Sequence, residues 1–201
     1  MSISGKIKHA GKWQSLSVLS LSVLQILYFS IMTRLLLKED YGLMAIINAV
    51  IGIGNIFIMG GMGTALIQRK KINNKHVNGA LQTNLCIGLL LYTAFYFMSP
   101  VIAAAYDDLR LDNLIKVSSL NLILLSISNV SVNLLFKSYM FEKVAIVNIV
   151  ANIIGYGTGV YLAINGQGVW SLVIATLVAS LLSSLILFYF APIKVSFKVH
   201  Y

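Results

Sequence analysis

Charge is scarce in this chain: only 10% of its 201 residues are Asp, Glu, Lys or Arg, against about 25% in a soluble domain. That is too little to cover a water-facing surface. The single cysteine, Cys86, excludes an internal disulfide and a thiolate metal cluster. With only 2 prolines, Pro100 and Pro192, helices can run long without interruption. The 3 histidines, His9, His76 and His200, lie in basic segments without ligand spacing or a paired carboxylate. No metal and no cofactor are expected. No low-complexity segment, linker or soluble domain is visible, and the loops are too short to carry a polymerase or ligase centre.

What fills the chain is hydrophobic sequence, 58% of it, gathered into long runs. A bilayer core about 30 Å thick needs about 20 apolar residues per helix. Six such runs are present, at residues 13–37, 41–67, 79–106, 117–136, 144–164 and 169–190. They lack the alternation of a strand or of a membrane barrel. The expected fold is therefore all-α, a bundle of six transmembrane helices. The first run is too long for a signal-peptide core and is read as a retained span. Residues 111–116 are expected to lie in the interface ahead of the fourth span.

The formal net charge of +9 reports topology, not a nucleic-acid partner. Most of the Lys and Arg residues (Lys6, Lys8, Lys12, Arg69, Lys70, Lys71, Lys75, Lys137, Lys143, Lys194 and Lys198) fall in the termini and alternate gaps. Glu39, Asp40, Asp107, Asp108 and Asp112 fall in the other gaps. Cationic loops are retained in the cytoplasm, so both termini are expected there.

Several spans carry small and polar residues on one helical face. Ala45, Asn48, Gly52 and Asn55 mark the second; Ser118, Ser126, Asn129 and Asn133 the fourth. Asn148, Asn152, Gly155 and Gly159 mark the fifth; Ser171, Ala175, Ala179 and Ser183 the sixth. One reading is close helix packing, which small residues permit in lipid. The other is a hydrated, amide-lined interior suited to sugar hydroxyls. The candidate contacts for such a substrate are Asn48, Asn55, Asn129 and Asn152.

Two cationic features join them. Arg34, in the first span, either snorkels to the headgroups or holds an anionic substrate. The run Gln68-Arg69-Lys70-Lys71 is either a positive-inside anchor or a basic mouth for phosphate.

Ordered along the chain are Trp13, then Thr33-Arg34-Leu35-Leu36 and Glu39-Asp40-Tyr41-Gly42 at the first turn. There follow Gly61-Met62-Gly63-Thr64-Ala65-Leu66-Ile67-Gln68, Ser99-Pro100-Val101-Ile102-Ala103, and Asn165-Gly166-Gln167-Gly168-Val169-Trp170-Ser171-Leu172-Val173. Together these segments resemble the N-terminal half of bacterial Wzx-type polysaccharide flippases, members of the multidrug/oligosaccharidyl-lipid/polysaccharide exporter superfamily.

The resemblance implies a non-enzymatic transporter in the bacterial cytoplasmic (inner) membrane. It would flip undecaprenyl-pyrophosphate-linked oligosaccharide units for O-antigen, capsule or exopolysaccharide synthesis. It also implies one lobe of a two-lobed, MATE-like protein with alternating access. The partners would then be the anionic lipid-linked glycan, membrane lipid, and a C-terminal lobe or a second copy. Arg34 and Arg69 are the positions carried over. The expectation is of a fragment or truncated product, with a dimer as the other possibility. The alternatives are a lobe of a cation-coupled multidrug exporter, which would want an acid inside a span, or an inactive half-transporter.

Overall fold

The computed structural model describes residues 3–60 and 74–191. Seven helices and no strand occur among them: α1 (Ile3–Leu35), α2 (Lys38–Met59), α3 (Asn74–Ala105), α4 (Arg110–Ser118), α5 (Leu120–Lys137), α6 (Phe141–Ile164) and α7 (Val169–Phe190). Six segments are long and apolar enough to cross a bilayer, with α4 and α5 together forming the fourth, Arg110–Lys137. The fold is thus the all-helical membrane bundle that the composition demands.

Residues 110–118, expected to lie largely in the interface ahead of the fourth span, form the helix α4, which packs on the bundle and leads into α5. The reason is amphipathic packing. Leu111, Leu114 and Ile115 are fully buried against the bundle, while Asp112 and Lys116 lie on the other face and pair at 2.8 Å. The join to α5 is marked by Ser119, whose hydroxyl donates to the Lys116 carbonyl at 2.9 Å. A serine bonding back into its own helix competes with the backbone ladder and bends it.

Pro100 sits inside α3 without ending it. A proline cannot bond the carbonyl four residues back, here that of Tyr96. The Ser99 hydroxyl reaches that carbonyl at 2.9 Å and also lies within hydrogen-bond distance of Asp112. The helix is repaired and tied to α4 by one side chain.

The acidic turns α1–α2 and α3–α4 lie at one end of the bundle, called here the acidic end, together with the α6–α7 turn. The α6–α7 turn reverses through Gly166 (φ 75°) and Gly168 (φ 52°), both in the left-handed region that glycine tolerates. Beneath these turns lies the main core, in which Leu43, Ile47 and Ile51 of α2 meet Leu111 and Ile115 of α4 and Val173 of α7. α7 packs on α2, α4, α5 and α6, whereas α1 packs chiefly on α6. Large apolar side chains such as Ile26, Phe57, Leu90 and Phe97 are exposed on the perimeter. In water such a surface would aggregate; in a bilayer it is the lipid contact.

The seam between α6 and α7 settles the packing reading for part of the small-residue pattern. A Cβ on Gly155 would stand 2.6 Å from the Ala175 carbonyl oxygen, and one on Gly159 would stand 2.8 Å from the Ala175 Cβ. Ser171 and Ala175 are fully buried there. Gly155, Gly159, Ser171, Ala175 and Ala179 therefore serve backbone approach, as lipid-embedded helices require.

Candidate functional site

The remaining amides behave differently. Asn55, Asn129, Asn133, Asn148 and Asn152 are half-buried, and Asn48 is exposed. Apart from Asn48, at mid-height on α2, all lie in the half of the bundle remote from the acidic end. Asn55 is near the end of α2, Asn129 and Asn133 are in the latter half of α5, and Asn148 and Asn152 are in the first half of α6.

On α5 the amides form a ladder. Asn133 Nδ2 donates to Asn129 Oδ1 at 2.7 Å, and Asn129 Nδ2 approaches the Ile58 carbonyl of α2 at 3.4 Å. Asn152 Nδ2 donates to the Asn148 carbonyl at 2.8 Å. Asn55 Oδ1 is shielded and has no hydrogen-bond partner. An unmatched amide oxygen is costly in an apolar medium. On α2, no heavy atom outside the local helix comes within 4 Å of a Cβ placed on Gly42 or Gly52. This face of α2, with exposed Ala45 and Asn48, is open, unlike the α6–α7 seam.

The structure thus brings Asn129 to the Ile58 carbonyl at the end of α2, with Asn55 three residues earlier on that helix. It sets Asn148 and Asn152 on α6 in the same half, with no hydrogen bond to that group among the described residues. Gln68 and Arg69 lie outside the described residues.

Arg34 is not part of this group. It sits in the last turn of α1 at the acidic end and lines a groove of about 460 Å³ with Leu27, Ser30, Ile31, Val160 and Ile164. Asn152 lies 12 residues along α6 from Ile164 (164 − 152), a helical rise of about 18 Å.

Sequence reasoning passed over two features. Asn84 of α3 is fully buried, and neither of its amide atoms has a partner; its spacing from Val77, Leu81 and Gly88 was the available signal. The second is the polar network at the acidic end. Asp40, 7% exposed, accepts the Leu37 N–H at 3.2 Å and so caps α2. Asp108 takes a two-pronged contact from Arg110, at 3.1 Å from Nε and 2.7 Å from Nη2. Those hydrogen bonds hold the Asp108 carboxyl below its ordinary pKa. Arg110 also reaches Glu39 at 3.9 Å, linking the first two acidic turns. No cluster of His, Cys, Asp and Glu able to hold a metal occurs among the described residues.

An apolar bundle with six helices long enough to cross a bilayer, its amides gathered toward one end, defines a multi-pass membrane protein. The family model described as "Polysaccharide biosynthesis protein" matches residues 31–201, and the chain belongs to that family. It is 27% identical over 163 residues to the teichuronic acid biosynthesis protein TuaB of Bacillus subtilis, covering 81% of this chain and 33% of that protein. It is 22% identical over 156 residues to the lipopolysaccharide biosynthesis protein WzxC of Escherichia coli, covering 78% and 32% respectively. It is 24% identical over 169 residues to the succinoglycan biosynthesis transport protein ExoT of Rhizobium meliloti, covering 84% and 34%. The chain thus spans about a third of the length of these curated relatives. No solved structure matches it.

Proposed function

We propose that this chain forms one lobe of a flippase for undecaprenyl-pyrophosphate-linked oligosaccharides in the bacterial inner membrane, and that it performs no covalent chemistry. The observation that carries this reading is the gathering of amides in one half of an otherwise apolar bundle, with Asn133 bonded to Asn129 on α5 and Asn55, Asn148 and Asn152 half-buried. The names of ExoT and WzxC, transport and lipopolysaccharide biosynthesis proteins, support it. Amides offer both donors and acceptors without charge, which suits a neutral sugar that must bind and leave.

In this reading the acidic end faces the outside and both termini the cytoplasm, following the retention of cationic loops. The amide face then opens toward the cytoplasm, where the lipid-linked unit is presented. The run Gln68-Arg69-Lys70-Lys71 provides the mouth for its pyrophosphate, with the charge on Arg69, Lys70 and Lys71 and a neutral amide donor on Gln68. A second lobe, or a second copy, closes the other side of the path, because a single lobe cannot enclose an alternating-access site. Deleting the gene in its host tests this: surface polysaccharide should be lost while the lipid-linked precursor accumulates. Normal surface glycan in the deletion strain would overturn it.

A further inference from the structure

We propose that the groove between α1 and α6 at the acidic end binds one anionic phospholipid of the surrounding bilayer, with its phosphate on Arg34. The groove is polarised as a lipid is. Arg34 stands at one end, and Leu27 lies 7 residues deeper along α1 (34 − 27), about 10 Å by helical rise. Between them run Ile31 and, from α6, Val160; Ser30 is the only other polar side chain on the wall. Such a wall accommodates a hydrocarbon chain and offers almost nothing to a sugar.

The charge argues for an anionic headgroup. Arg34 makes no ion pair among the described residues. The nearest acids in sequence are engaged elsewhere, Glu39 toward Arg110 and Asp40 on the Leu37 N–H. A guanidinium at the membrane surface is best satisfied by a phosphate, which accepts two parallel hydrogen bonds. A comparison lies within the same molecule. A second groove of about 320 Å³, lined by Leu120, Ile123, Leu124, Leu177, Val178 and Leu181, has no polar residue. It should take chains without regard to headgroup.

This inference does not rest on the transport reading, since it concerns a face remote from the amides. The test uses the full chain reconstituted in phosphatidylcholine vesicles, with spin-labelled phosphatidylglycerol or phosphatidylcholine as probe. The motionally restricted fraction reports bound lipid. Wild type should prefer phosphatidylglycerol by about fivefold, the scale of one basic side chain at an anionic surface. Arg34→Gln should abolish the preference and Arg34→Lys should retain it. Ser30→Trp, which fills the groove from an exposed position, should abolish it as well. Leu181→Trp, in the uncharged groove, should leave it intact. The proposal is overturned if wild type shows no preference, if both Arg34→Gln and Ser30→Trp keep it, or if Leu181→Trp removes it. It is also overturned if undecaprenyl phosphate displaces the probe far better than unlabelled phosphatidylglycerol does, which would assign the groove to the substrate's own tail.

Discussion

The Asp40 carboxylate lies 3.3 Å from the point where a Cβ on Gly168 would stand. This contact brings the start of α2 against the start of α7, two helices far apart in sequence. Asp40 bonds the Leu37 N–H of its own helix, and its charge also lies where the positive end of the α7 dipole favours an anion. Gly168 holds φ 52° and ψ −133°, a conformation that a side chain resists.

Gly168→Ala should therefore destabilise the fold by about 1–3 kcal/mol, combining backbone strain with crowding of Asp40. Asp40→Ala should cost about 0.5–2 kcal/mol through the lost cap. Thermal unfolding in detergent measures both. A wild-type midpoint for Gly168→Ala would show that the turn has room to relax.

The α6–α7 seam makes a paired prediction. Gly155→Ala pushes a methyl toward the backbone carbonyl of Ala175, which cannot rotate away, and should lower the unfolding midpoint. Gly157→Ala meets nothing within 4 Å and should be neutral or slightly stabilising, because alanine favours a helix by up to about 1 kcal/mol over glycine. Equal effects from the two substitutions would refute the assignment of Gly155 to close packing.

Asn84 and Asn129 should respond in opposite directions to leucine. Asn84 is buried with both amide atoms unpaired, so Asn84→Leu removes a desolvation cost of about 1–3 kcal/mol and should raise the midpoint. Asn129→Leu breaks the bond from Asn133 and should lower it. Destabilisation by Asn84→Leu would indicate that this amide has a structural partner such as a buried water.

The Asp108–Arg110 contact gives a pH dependence of known sign. The folded-state pKa of Asp108 is lowered, chiefly by side-chain hydrogen bonds from Arg110. Its stabilisation is therefore fully present above the ordinary aspartate pKa and is lost only as pH falls through the lower folded value. Asp108→Asn should thus flatten the acid limb of the stability profile below the ordinary carboxylate range. It should matter little near neutrality, because an exposed pair contributes weakly. An unchanged acid limb would count against the pairing.

The architecture was largely legible in sequence because lipid imposes a simple rule: an apolar run of sufficient length must form a helix that satisfies its own backbone. Arg110–Ser118 shows where that rule weakens. Its charges, Asp112 and Lys116, lower its hydropathy, yet its pairing with them and its burial of Leu111 and Ile115 are tertiary facts. The site was legible only as residue types. Spacing placed Gly155 and Asn152 on one stripe; only coordinates show that Gly155 is locked against Ala175 while Asn152 is half open. The position of Arg34, three residues from the end of the run 13–37, already set it at a different height from Asn152.

The proposed topology, with both termini inside, has its own check. With Cys86 replaced by serine, a cysteine at Asp107 should react with a membrane-impermeant thiol reagent in intact cells, and one at Ser138 should not. The reverse pattern would place the amide face toward the outside.

The central claim is that the amide face carries the glycan across the membrane. The most direct measurement is the sidedness of the lipid-linked oligosaccharide in cells whose chromosomal copy carries Asn55→Leu and Asn129→Leu, with protein level and folding verified. The account predicts that the oligosaccharide accumulates on the cytoplasmic leaflet while surface glycan falls. A wild-type distribution across the two leaflets, with normal surface glycan, would contradict it.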